Sequence, residues 1–421
     1  MVELHNGCIC CTLRGDLLKT VKSLAEENKY DYLVIESTGI SEPLPVAQTF
    51  VMNVDETEDG QLVVADEASE ASLSNYAKLD TMVTVVDALN LFDVLSSIEK
   101  LSEKNSSGMV GNTGIEDDSK MEMDEEAPVD DRSVAQLMLD QIEFANVIVI
   151  SKCQILLERE KGDKTKLESI KGLLKKLNPN AKILAPMNFY EDLNARKELL
   201  QTGMFDLEKS QTEPGWILEL QTPHTSETEE YGIGSTVFRS NRMPFHPQRF
   251  FDILEGFGNY ASALSSEAGS TKEKVFKGVV RTKGRVWLAN ANAFPLDIHT
   301  AGKHLGIEPY PKPFLAAEDK SMWDEDDCAE YDEAVEKGEW SKDFGDRSSE
   351  IVFIGIGLDK KKIHERLEEA LLTEEESKKL GGMSGWKKLP DPFFGGAAVE
   401  NWFEVSYVEE GDLKVDVHHH H

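Results

Sequence analysis

The chain is 421 residues long and 40% hydrophobic, enough apolar content for two or three domains with buried cores. It carries 78 acidic against 45 basic side chains, a formal charge of −33, which repels nucleic acid and anionic membrane surfaces and favours cations or basic partners. With five cysteines and no apolar run of bilayer length, neither a disulfide framework nor a membrane partner is expected, and a reducing, cytoplasmic setting is.

Three of the five cysteines, Cys8, Cys10 and Cys11, fall within four positions, just after Gly7. Thiolates are soft ligands, and three of them supply most of a tetrahedral shell for Zn²⁺ or Cu(I). Glu3, His5, water or a client protein are the candidates for a fourth ligand. A redox cluster and a set of small buried hydrophobes are the alternatives, because the usual paired C-x-x-C spacing is absent.

A helical pattern follows, with Leu17, Leu18, Val21, Leu24 and Ala25 on one face. Tyr32-Leu33-Val34-Ile35 then reads as a buried strand running into Glu36-Ser37-Thr38-Gly39-Ile40-Ser41-Glu42-Pro43. Ligands of open α/β sheets collect at the carboxyl ends of strands, which gives Glu36 and Gly39 a functional reading beside that of a plain helix cap. Further strands are expected over 81–87, ending in Asp87, over 145–150, leading into Ser151-Lys152-Cys153-Gln154, and over 181–184. Helical patterns over 134–142 and 167–177 lie between them, and the alternation predicts parallel βαβ units. The acidic, aromatic-poor segments 55–70 and 99–132 read as disordered insertions.

The pattern changes over 203–225, where a second, smaller α+β domain is expected to begin. Its predicted elements are a strand over 236–239, a proline-opened helix over 247–254, a hairpin of strands over 274–280 and 284–288, a strand over 349–355 and a helix over 361–372. The acidic run 318–346, with Trp323 and Trp340, reads as another insertion, and His418 to His421 as the remnant of a purification tag.

These residues carry a resemblance over most of the chain. Gly7-Cys8-Ile9-Cys10-Cys11 followed by Arg14 and Asp16-Leu17 is similar to the C-x-C-C metal motif of the CobW-type P-loop GTPase metallochaperones. Residues 36–43 resemble that family's Walker B and switch segment, and Val85-Val86-Asp87-Ala88 a further strand of its nucleotide domain. Ile233-Gly234-Ser235, residues 281–289 and residues 350–355 resemble the CobW C-terminal domain. The resemblance implies a P-loop GTPase-like, doubly wound parallel sheet over 1–202 and a C-terminal domain over 215–409.

Two positions depart from the family pattern. No Gly-x-x-x-x-Gly-Lys-Ser/Thr phosphate loop occurs in the sequence; the family has it upstream of the cysteines, so a segment before Met1 is expected, with organellar targeting left open. The guanine motif, Asn-Lys-x-Asp in the family, stands as Ser151-Lys152-Cys153-Gln154, which puts preference for GTP over ATP in doubt.

The function that the resemblance implies is a GTP-dependent metallochaperone, for zinc, delivering metal from Cys8, Cys10 and Cys11 to a client metalloprotein. Glu36 is the expected catalytic residue, and Glu36, Gly39, Ser151, Lys152 and Gln154 the nucleotide-binding ones, with Mg²⁺ and GTP as cofactors of a full-length GTPase. The alternative is a module that binds metal and client but hydrolyses nothing.

Overall fold

Leu17 and Val21, four apart on the helix Leu13–Glu26, turn inward against Val46 and Phe50 of the helix Pro43–Val51, forming a small apolar cluster with Ala77 and Leu79. The computed structural model describes residues 13–37, 43–51, 54–56, 62–64, 76–96, 133–212, 214–221, 232–254, 274–302 and 304–393. The chain divides into one unit of residues 1–234, 301–304 and 354–357, and a second of 235–300, 305–353 and 358–421.

The first unit is built on a three-stranded sheet in the order β3 (Val83–Asp87), β4 (Val147–Ser151), β5 (Lys182–Leu184). Both pairings are parallel, with Val83 opposite Val147 and Asp87 opposite Ser151. The apolar run of β4 is buried on both faces, as a central strand between helix layers requires. The helix Val134–Phe144 is capped by Ser133, whose hydroxyl accepts from the Gln136 amide, and the helix Thr165–Leu177 buries Leu167, Ile170, Leu173, Leu174 and Leu177. Buried Asn178 closes the unit's C-terminal turns: its amide group donates to the carbonyls of Ile142, Glu143 and Ala145, and its side-chain oxygen accepts from the amides of Asn180 and Ala181.

Two expectations for this unit are corrected. Tyr32-Leu33-Val34-Ile35 forms no strand, and its side chains are exposed, Val34 by 79%. A strand exists only through a neighbour's backbone ladder, and no described strand pairs with these residues. Within the acidic segment 55–70, β1 (Val54–Glu56) and β2 (Leu62–Val64) form an antiparallel pair with Val54 opposite Val64, so part of that insertion has regular structure. The segment 99–132 lies outside the described residues.

The second sheet has five strands in the order β6, β10, β7, β8, β9, where β6 is Ile233–Ser240, β7 Val279–Leu288, β8 Ala291–Ala301, β9 His304–Pro309 and β10 Ser349–Ile356. Alternation along β7 sends Val286 and Leu288 into one cluster and Trp287 into another. In the first, Phe250 and Ile253 of the helix Pro247–Leu254 and Ile363 and Leu367 of the helix Lys360–Ala370 pack with Phe238, Phe276 and Phe353. In the second, Trp287 meets Phe344 and Trp386 with ring centroids 5.2 and 6.0 Å apart.

The hairpin expected between 274–280 and 284–288 is not there. Residues 279–288 run as one strand, with Lys274–Phe276 a short 3-10 turn before it. Gly284 is the misleading residue: a Cβ there would lie 2.2 Å from the Glu350 carbonyl oxygen of β10, so the glycine permits a close strand approach rather than a turn. The real turn comes at Ala289 and Asn290, where Asn292 donates to the Ala289 carbonyl and accepts from the Trp287 indole.

Candidate functional site

The parallel register sets Asp87 and Ser151 side by side at the carboxyl ends of β3 and β4. That is where an open α/β sheet leaves a crevice for a ligand, because the loops diverge there to helices on opposite faces. The Ser151 hydroxyl donates to the Val86 carbonyl at 3.2 Å, and the Ala88 amide donates to the Ser151 carbonyl at 3.1 Å, so the two strand ends are stitched together.

Lys152 follows in the left-handed region, φ 60° and ψ 23°, and its carbonyl accepts from the Leu156 amide to open the helix Cys153–Arg159. A non-glycine residue held there is uncommon, and such outliers concentrate where a side chain must be aimed. The Lys152 ammonium lies 2.6 Å from Asp87 Oδ2. The same carboxylate accepts from the Asn90 side-chain amide at 2.8 Å and, through Oδ1, from the Leu89 amide at 2.9 Å. Asp87 is thereby locked by three donors while the lysine stays half exposed.

The helix that begins after Lys152 holds the other two positions of the motif. Cys153 is buried, its thiol donates to the Ile150 carbonyl at 3.3 Å, and burial pushes its pKa up, so it packs rather than reacts. Gln154 is exposed and turns along the helix, donating to Glu158 Oε1 at 2.9 Å, one turn on. That bond uses an N–H of the amide and leaves its oxygen as an acceptor.

Of the residues expected from sequence, the structure brings Ser151, Lys152 and Gln154 to one end of the sheet. Glu36 lies exposed on an irregular segment, and among the described residues no hydrogen bond or ion pair ties it to the Asp87 group. Cys8, Cys10, Cys11 and Gly39 lie outside the described residues. Asp87, Asn90 and Glu158 had been given no binding role. The Asp-x-x-Asn spacing of an Asx turn after a buried strand is the signal for the first two, and Glu158, four residues past Gln154, is legible only once the helix is known.

Residues 1–185 match the family model described as CobW/HypB/UreG, nucleotide-binding domain, and residues 233–371 the one described as the cobalamin synthesis protein cobW C-terminal domain. Zinc-regulated GTPase metalloprotein activator 1 of Dictyostelium discoideum is 36% identical over 423 residues, covering 99% of this chain and 76% of that protein. The chain belongs to the CobW family. Similarity extends at 23% identity over 400 residues to the zinc chaperone Rv0106 of Mycobacterium tuberculosis, with 93% of this chain and 79% of that protein covered. It also reaches a zinc chaperone CobW of a Sinorhizobium species, 29% identical over 160 residues, 37% of this chain and 35% of the other. Within this CobW chain the stitched ends of β3 and β4 belong to the part matched by the nucleotide-binding model, and the five-stranded sheet to the part matched by the C-terminal model.

No helix among the described residues is long and apolar enough to cross a membrane.

Proposed function

We propose that this protein is a nucleotide-dependent zinc metallochaperone that holds its cargo on Cys8, Cys10 and Cys11 and passes it to a client metalloprotein. The observation that carries this reading is the 36% identity to the Dictyostelium metalloprotein activator over 99% of the chain. Zinc is the cargo, and three thiolates within four positions match its soft-ligand, tetrahedral preference.

The donor set at the strand ends fits a nucleoside. Lys152 offers a half-exposed aliphatic stem fixed by its backbone, Ser151 and Asp87 anchor the strand ends beneath it, and Gln154 presents a free amide oxygen. A nucleoside triphosphate with Mg²⁺, when bound, would supply the phosphoryl chemistry. Glu36 and Gly39 are the residues that would respond to its terminal phosphate, and the helix Leu13–Glu26 links their segment to the cysteines.

Two experiments test this. Zinc titration of protein freed of its terminal histidines should give about one tight site per chain, lost in the Cys8→Ser, Cys10→Ser, Cys11→Ser triple variant. Unchanged affinity in that variant ends the cysteine assignment. The base is read separately, by competition of GTP and ATP against a fluorescent nucleotide on a protein that carries a phosphate loop. Gln154 offers a neutral amide oxygen beside an NH₂ group, one hydrogen of which is given to Glu158, whereas a carboxylate accepts twice and as a charged partner. Gln154→Asp should therefore raise the preference for GTP by roughly 5- to 150-fold, or about 1–3 kcal/mol. A natural protein that already prefers GTP strongly and gains nothing from the substitution reads guanine elsewhere.

A further inference from the structure

Lys152 and Asp87 stand 65 residues apart in the sequence, and the ion pair between them bridges the carboxyl ends of β4 and β3. Exposed lysine pairs contribute little when two mobile side chains must both be ordered to make one contact. Here both partners are held before they meet. The Lys152 backbone is fixed in the left-handed region, φ 60°, where the helix Cys153–Arg159 starts, a conformation that persists only where the surroundings over-determine it. The carboxylate is fixed by its own turn: Oδ1 accepts from the Leu89 amide at 2.9 Å and Oδ2 from the Asn90 side chain at 2.8 Å, and the same Oδ2 receives the ammonium at 2.6 Å.

Other lysine pairs of this unit are made differently. In Lys166–Glu160, Lys171–Glu168 and Lys182–Glu198 the glutamate side chain accepts from its lysine alone among the described residues. Asp87 carries two further donors that a surface ion pair does not need. With its oxygens committed to protein groups, its effect on a ligand passes through Lys152.

Pairing also changes what the lysine offers. A free ammonium beside a nucleotide is drawn to the phosphates, which carry the opposite charge. One neutralised by Asp87 stays at the strand ends, next to Ser151.

We propose that Asp87 is a positioning residue for nucleoside binding: it holds the Lys152 side chain at the strand ends and withholds its charge from the phosphates, a role that rests on the reading of residues 151–154 as a nucleoside site. Asn90 supports it by fixing the carboxylate.

Two measurements on the full chain test this. The first needs no nucleotide: Lys152 is acetylated with limiting acetic anhydride and its modification is read by mass spectrometry against Lys164, an exposed lysine of the same unit. Asp87→Asn should raise the relative rate at Lys152 about two- to fivefold, the range of a partly exposed ion pair. No rise means that Asp87 does not hold Lys152 and overturns the proposal, while leaving the nucleoside reading intact.

The second is anisotropy of fluorescent GTP with GTP and ATP as competitors. Asp87→Asn and Lys152→Met should each weaken both nucleotides about two- to fivefold with their ratio unchanged, and the double variant should bind no more weakly than the weaker single one. Asn90→Ala, which keeps both charges of the pair, should move both readouts in the same direction by less. Additive losses overturn the proposal, because Asp87 then acts independently of Lys152. Tighter and more salt-dependent binding in Asp87→Asn overturns it too, because the lysine then belongs with the phosphates. If the unsubstituted chain binds neither nucleotide, the nucleoside reading itself fails and this role for Asp87 with it. Circular dichroism of each variant confirms that the fold persists.

Discussion

The two sheets of this molecule are made from similar residues and end up in different conditions. The five-stranded sheet buries its apolar side chains in two clusters, and β10 in particular is closed on both faces, with Ile351, Val352, Phe353 and Ile354 all fully buried. In the three-stranded sheet only β4 is closed in that way. Its neighbour β3 alternates, Thr84 and Val86 buried but Val83 and Val85 exposed, Val85 by 56%. Apolar content alone therefore does not decide burial. A strand is covered only where another strand and a helix layer reach it, and the same valine contributes to stability in one place and little in the other.

The sharpest way to break that comparison is to truncate one side chain from each sheet. Phe353→Ala should cost about 3–5 kcal/mol, measured by urea unfolding, since the ring packs 5.7 Å from Phe276 inside a cluster that can collapse only partly. A loss below about 1 kcal/mol would mean that the second unit is loosely packed.

Acid should separate the units next. Among the histidines of the second unit, His246 and His364 are partly buried and shifted by that burial. His246 is pushed below its usual pKa of 6.5 by burial and then by nearby Arg249, with Glu376 and Asp252 opposing, and His364, whose Nε2 lies 2.8 Å from the Thr236 hydroxyl, is lowered by burial against the pull of Glu368. Both are therefore neutral in the folded state at pH values where the unfolded chain already takes up protons. The stability they contribute is fully present above pH 6.5 and is lost as pH falls from 6.5 toward the lowered folded values. Unfolding followed through Trp287 and Trp386 should weaken over that window, and the His246→Gln, His364→Gln variant should flatten the slope. The Arg249–Glu376 pair will not confuse the reading: its two bonds of 2.9 Å hold the Glu376 carboxyl down to about 2, so that contribution is lost only in much stronger acid. A natural-protein midpoint that stays constant down to about pH 5 would contradict the burial of these rings.

The smallest effect is expected at the open strand. Val85→Thr should change stability by no more than about 0.5 kcal/mol, because the side chain already meets water. A cost above about 1.5 kcal/mol would show that β3 is covered in solution, and the contrast between the two sheets would disappear.

Much of this architecture was legible in the sequence. Short-range physics specified it: the period of Leu167, Ile170, Leu173, Leu174 and Leu177 makes one buried helix face, Pro247 opens a helix where proline at the first turn belongs, and β-branched runs ending in Asp87 and Ser151 make parallel strands whose ends carry the site. The cysteine spacing and the Ser151-Lys152-Cys153-Gln154 motif stand out as candidate chemistry in the sequence alone. What depends on partners distant in the chain was not legible. Tyr32-Leu33-Val34-Ile35 has strand composition, but only a neighbouring backbone ladder makes a strand, and none of the described strands offers one. Gly284 has the look of a turn, and only the Glu350 carbonyl of β10 reveals that it is a contact. The acidic run 318–346 has the composition of a disordered segment, yet Asp346, Arg347 and the rings of Trp323, Tyr331 and Trp340 give its helix, Glu325–Glu336, an inside and an outside. Asp87 became the partner of Lys152 for the same reason: 65 residues separate them in sequence, and only the parallel pairing of β3 with β4 brings carboxylate and ammonium to 2.6 Å.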